Sequence, residues 1–162
     1  MKPLSLDRLP PPTSLILRIP TRSARLRLIT LLYGVIVLLW LSVDDSSTTP
    51  VALIGSGLAL IGMSLWVTGR YGGRAVAGRA ALLAAAGAGA ATGLIAAIAV
   101  AALMLVKTGL HAYLFPDYPF GMMIEMLERA PLWALAGGLA GIGLLLARWA
   151  LRTPTQPPRR EA

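Results

Sequence analysis

The chain has no cysteine, one histidine, two lysines and seven acidic residues among its 162. Without cysteine there is no disulfide, no thiol redox chemistry, no cysteine-ligated zinc or iron–sulfur cluster, and no lipoprotein-type acyl anchor. A lone histidine excludes the paired His ligands of a haem-binding four-helix protein. Charged residues make up only 14% of the chain, against about a quarter in a usual soluble domain. That is too little polar surface to coat a soluble fold. The length fits one domain.

What is present is apolar. Hydrophobic residues reach 56% and mean hydropathy is +0.71. The charges stand outside the apolar runs, which is how membrane chains are patterned. The longest run, Ala80 to Val106, holds 27 residues without a charge and one hydroxyl, Thr92. It exceeds the roughly 20 apolar residues that cross a bilayer core as a helix. Ala81, Ala85, Gly89, Gly93, Ala97 and Ala101 fall four apart along it. Residues i and i+4 share a helix face, so these six form a smooth strip for close helix packing.

The pattern predicts an all-α integral membrane protein, a four-helix bundle with spans at about 28–43, 51–68, 80–106 and 131–151. A basic, Pro-rich tail (1–27) precedes the 28–151 membrane domain, and a disordered basic tail (152–162) follows it. Five prolines in 1–27 deny that tail a long helix, leaving it flexible or surface-lying. No small-x-small cleavage site follows the first run before Val43, so that helix is read as retained. The second run carries Ser56 and Ser64 among three glycines, and 69–79 is a glycine-rich basic loop. Pro116-Asp117-Tyr118-Pro119 is a turn signal, and a short amphipathic surface helix is expected after it. Its apolar arc takes Phe120, Met122, Met123, Ile124, Met126 and Leu127. Pro131 suits the first turn of the fourth span, where Gly137 with Gly141 and Ala134 with Gly138 repeat the small-residue spacing.

The basic residues alternate between sides. Six lie before the first span, three in 69–79 and four from Arg148 onward, against Lys107 and Arg129 alone in the other two loops. That is 13 against two, and the positive-inside rule places both termini in the cytoplasm, an N-in/C-in topology. Arg outnumbers Lys 13 to two in a chain rich in Ala, Gly and Leu, a composition that points to a GC-rich bacterial genome and hence to a bacterial plasma (inner) membrane. A net charge of +8 that flanks membrane spans points to anionic lipid headgroups on the cytoplasmic side, not to nucleic acid. Arg18, Arg22, Arg25 and Arg27, with Trp40, Trp66, Trp133 and Trp149, are the expected lipid-interface residues.

Reactive groups are scarce. The four runs hold no Asp, Glu, His or Lys, and Arg148, their only Arg, lies within a turn of the boundary. This disfavours a proton-coupled antiporter, since intramembrane ionisable groups mark such paths. The skewed charge disfavours dual-topology exporters. Ser56 and Ser64 lack a His partner and read as helix-bonded hydroxyls. In the outer loop, His111 with Asp117 and Glu125 is the candidate catalytic or divalent-metal set, although a single interfacial His more commonly anchors. Met122, Met123, Met126 and Met104 would suit a soft metal but more often simply pack. No cofactor and no resident metal are expected.

The first expectation for function is a non-catalytic subunit or assembly factor of a larger membrane complex. It would pack through small-residue helix faces against other membrane subunits or itself. The alternative is a small oligomeric transporter or channel for an uncharged or apolar solute, with Tyr33, Ser56, Ser64 and Thr92 as a thin polar lining. A membrane enzyme using the His111 loop ranks third.

Overall fold

A long apolar stretch satisfies its backbone hydrogen bonds most simply within itself, as helix. The computed structural model describes residues 16–21, 23–43, 47–111 and 118–151, and within them the chain is overwhelmingly helical. In order, the elements are β1 (Ile16–Arg18), α1 (Ala24–Leu41), α2 (Thr48–Tyr71), β2 (Ala75–Ala77), α3 (Arg79–His111), α4 (Phe120–Glu128) and α5 (Ala130–Ala150). Four of them, α1, α2, α3 and α5, are long and apolar enough to cross a membrane. The short helix α4 lies between the third and fourth of these, in the stretch read as amphipathic.

The axis of the bundle is α3. Its 33 residues extend about 50 Å at 1.5 Å per residue. Helices α2, α4 and α5 all pack on it, whereas α1 rests mainly on α2. Small residues decide how closely α5 approaches. A Cβ added at Gly89 would overlap the Gly137 carbonyl, one at Gly93 the Trp133 carbonyl, and one at Gly141 the Ala85 carbonyl. The contacts step down α5 as they step up α3, so the pair is antiparallel. The strips on the two helices therefore occupy one another. Gly138 faces Ala86 and Ala90, Ala134 lies on Gly93, and Ala81, Ala97 and Ala101 are buried.

Larger side chains fill the other half of the bundle. Trp40, Val51, Ile54, Val100, Leu103, Met104, Tyr118 and Met123 form one cluster. All come from the C-terminal parts of α1 and α3, the start of α2, and the stretch through α4. Gly55 lets α2 reach the Val100 backbone of α3, and Gly57 makes the seat for the Tyr33 ring of α1. The Tyr33 hydroxyl donates to the Ile54 carbonyl at 2.7 Å.

At the opposite end, part of the stretch read as a flexible or surface-lying tail is a paired strand. Ile16–Arg18 pairs antiparallel with Ala75–Ala77, with Leu17 opposite Val76. Two further backbone bonds extend the ribbon, Ile19 N–H to the Arg74 carbonyl and Gly73 N–H to the Ile19 carbonyl, each 3.0 Å. Gly73 and Gly78 flank β2 with φ of 82° and 62°, the left-handed region where glycine meets no Cβ penalty. Pro20 is compatible with extended backbone, and β2 supplies the partner for Ile16–Arg18. Helix α1 begins four residues earlier than the apolar run, at Ala24. The Ser23 hydroxyl caps it by accepting from Leu26 N–H at 3.3 Å, so Arg25 and Arg27 join its first turn.

Candidate functional site

Among the described residues, the end carrying the ribbon holds Arg18, Arg25, Arg27, Arg70, Arg74, Arg79 and Arg148 and no acid. Trp66 meets Tyr71 edge-on at 5.6 Å, and the Arg74 guanidinium stands 5.6 Å from the Tyr71 ring centre. The other end holds Lys107, Arg129, Glu125 and Glu128.

Lys107 lies in helix and in the core, not in a loop. It is the fourth residue before the end of α3 and is fully buried. Helix α3 continues through His111, which carries Lys107 beneath α1. Its Nζ lies 4.5 Å from the centre of the Trp40 ring, and that ring is not its only partner. A desolvated cation over an indole gains about 2 kcal/mol. Trp40, expected at an interface, is buried as part of the core cluster. Among the described residues its indole N–H finds no hydrogen bond, and the ring meets Lys107 through its face. Beside them Tyr118 is buried, its hydroxyl donating to the Ser47 carbonyl at 3.0 Å and its N–H to the Thr108 hydroxyl at 3.3 Å. These contacts tie the start of α2, the end of α3 and the approach to α4 into one corner.

Next to that corner is a cleft of about 490 Å³, within the range of roughly 300–1,000 Å³ typical of ligand sites. Helices α2 and α5 both lie on α3 and leave a gap, which α4 borders. Thr48, Thr49, Glu125 and Arg129 form its polar side. Ala52, Leu53, Met104, Met122, Met126 and Trp133 form its apolar wall, with Ser56 furthest along α2. The Ser56 hydroxyl is engaged by the Ala52 carbonyl at 2.7 Å. Arg129 Nη2 stands 4.0 Å from Glu125 Oε2, and both side chains are about two-thirds exposed.

The residues singled out by sequence fall in different places. His111 is the last residue of α3, Asp117 lies outside the described residues, and Glu125 is at the cleft rim. Met104 is buried in the core cluster and also lines the cleft, Met122 and Met126 line it half-buried, and Met123 turns into the core. Among the described residues, no three metal-ligating side chains of His, Asp or Glu stand together. Arg22 is outside the described residues. Trp133 lines the cleft, while Trp66 and Trp149 are exposed. Neither Lys107 nor Tyr118 is among the site residues that the sequence singles out. The only sequence signal for Lys107 was its place directly after a 27-residue apolar run, where a helix need not stop.

Comparison with family models, curated proteins and solved structures gives no match. The chemistry of the site rests on its own residues. Its polar groups are few, exposed and gathered at one end of an otherwise apolar groove.

Proposed function

We propose that the chain is an integral membrane protein with both termini in the bacterial cytoplasm. We read it as a non-catalytic subunit or assembly factor of a larger membrane complex. Supporting the topology, seven basic residues gather at the ribbon end without a described acid, the distribution that anionic headgroups and the positive-inside rule favour. Because the chain lacks cysteine, single introduced cysteines report topology cleanly. Val43→Cys is expected to react with an impermeant maleimide in intact cells, and Ala75→Cys only after permeabilisation.

The subunit reading is carried by glycines that the bundle does not use. Gly55, Gly57, Gly89, Gly93, Gly137 and Gly141 each admit a neighbour where a side chain would stand. Gly34, Gly62, Gly87 and Gly143 have open space there. A glycine inside a helix costs about 1 kcal/mol relative to alanine, and among the described residues these four have no compensating contact. Close approach of a helix from another chain supplies one. The helix hydroxyls favour the same reading over a polar path. Thr30, Ser56, Ser64 and Thr92 each donate to the carbonyl four residues earlier, and Tyr33 to α2.

The test is mild-detergent extraction followed by native mass analysis with subunit identification. A stoichiometric foreign subunit is expected, and Gly34→Leu with Gly143→Leu should release it while leaving the melting of the isolated chain unchanged. A pure homo-oligomer would shift the reading to the transporter class. A monomer unaffected by either substitution ends it.

A further inference from the structure

The cleft beside α4 has the amphipathy of a lipid. Its polar groups, Thr48, Thr49, Glu125 and Arg129, sit at one end, where α2 and α5 both begin. From Thr48 to Ser56 the wall descends eight residues of α2, about 12 Å, past side chains that are apolar or whose hydroxyl is already engaged. The polar end carries one basic and one acidic group, 4.0 Å apart and both largely exposed. Held so loosely, the pair has donors and lone pairs to offer a ligand. Arg129 is also the joint between helices: its N–H donates to the Glu125 carbonyl at 3.2 Å, and its carbonyl accepts from Trp133 N–H at 3.1 Å. Its guanidinium thus springs from a fixed backbone.

We propose that this cleft is a binding site for one zwitterionic phospholipid of the outer leaflet. Arg129 meets the phosphate, for which a guanidinium fork is suited, and the N-terminus of α2 adds its positive end. Glu125 accepts from the headgroup amine. One acyl chain lies along Ala52, Met104, Met126 and Trp133, where flexible methionines adapt to an irregular chain. Charges of both signs at the rim select an amine-bearing headgroup over a purely anionic one. The inference rests on the membrane reading, because only that puts the rim at a headgroup layer.

The experiment uses the full chain, delipidated in detergent and titrated in parallel with phosphatidylethanolamine and phosphatidylglycerol, with bound lipid counted by native mass spectrometry. One phosphatidylethanolamine per chain is expected to bind saturably, with phosphatidylglycerol at least fivefold weaker. Glu125→Gln should erase that preference, and Arg129→Ala should weaken both lipids about tenfold. Two cleft-filling changes on different helices, Ala52→Leu and Met126→Trp, should each lower occupancy at least tenfold with the helical content retained. The proposal is overturned by the absence of a saturable lipid, by filling variants that keep it, or by a phosphatidylglycerol preference indifferent to Glu125→Gln. Flotation of the same protein with membranes separates the failures: a chain that does not float loses the membrane reading too, whereas one that floats but holds no lipid loses only this site.

Discussion

Helix α5 meets its neighbours in two ways. Along α3 it closes to backbone contact, because Gly89, Gly93, Gly137 and Gly141 remove the side chains between the two helices. Toward α2 it stands off, and Met104, Met126 and Trp133 border a cleft of about 490 Å³. One helix thus provides both a seam and a groove. The difference lies in side-chain volume, since helices gain by close van der Waals contact where they are smooth and leave gaps where bulky groups stop short. The seam is expected to tolerate nothing added to it, and the groove to tolerate a good deal.

The largest effect belongs to the seam. Gly89→Leu with Gly93→Leu drives two side chains into the α5 backbone and should destabilise the fold by about 4 kcal/mol or more. At this chain length that is a fall of roughly 10 °C in melting midpoint, read by circular dichroism in detergent. An unchanged midpoint would show that α3 and α5 do not pack as described. Next is the corner behind the groove. Lys107→Met removes the cation from the Trp40 face, a loss of about 1–2 kcal/mol. A double-mutant cycle with Trp40→Leu should return a coupling of at least about 0.5 kcal/mol, and additive effects would sever the pair.

Growth into the groove is the direct contrast. Ala52→Leu adds three heavy atoms, as Gly→Ala in the seam adds one, yet its effect on unfolding should stay within about 1 kcal/mol because open space receives it. A large loss there would mean that the cleft is closed. The smallest effect is at the rim. Glu125→Gln breaks an exposed ion pair and should change stability by no more than about 0.5 kcal/mol, so any larger shift would reveal a partner beyond Arg129.

Much of the scaffold was legible in the chain. The four long helices overlap the apolar runs at 28–43, 51–68, 80–106 and 131–151: α1 starts four residues early and ends two short, α2 and α3 overrun theirs at both ends, and α5 matches its run to within one residue. Those extensions have local causes that hydropathy does not register: the Ser23 cap before α1, and the continuation of α3 through Lys107 to His111. The candidate site was less legible. Glu125 is legible as one of a set with His111 and Asp117, of which Asp117 lies outside the described residues; its place beside Arg129 at the mouth of an apolar groove is not legible in the sequence. Trp133 was marked as an interface anchor and is a wall of that groove.

The amino-acid order alone decided which segments are helical and apolar enough to cross a bilayer, and how unevenly charge is shared between their ends. Both are sums over neighbouring residues, because a backbone that cannot bond to water must bond within its own turn. Tertiary structure decided the rest. It joined Ile16 to Ala77 in a ribbon, brought the Tyr118 hydroxyl to Ser47, drew Lys107 under Trp40, and turned the glycines of α3 toward those of α5. Each depends on residues far apart in the chain, so the same small, aromatic or charged side chain reads alike in sequence whether it meets lipid, another helix or a cleft.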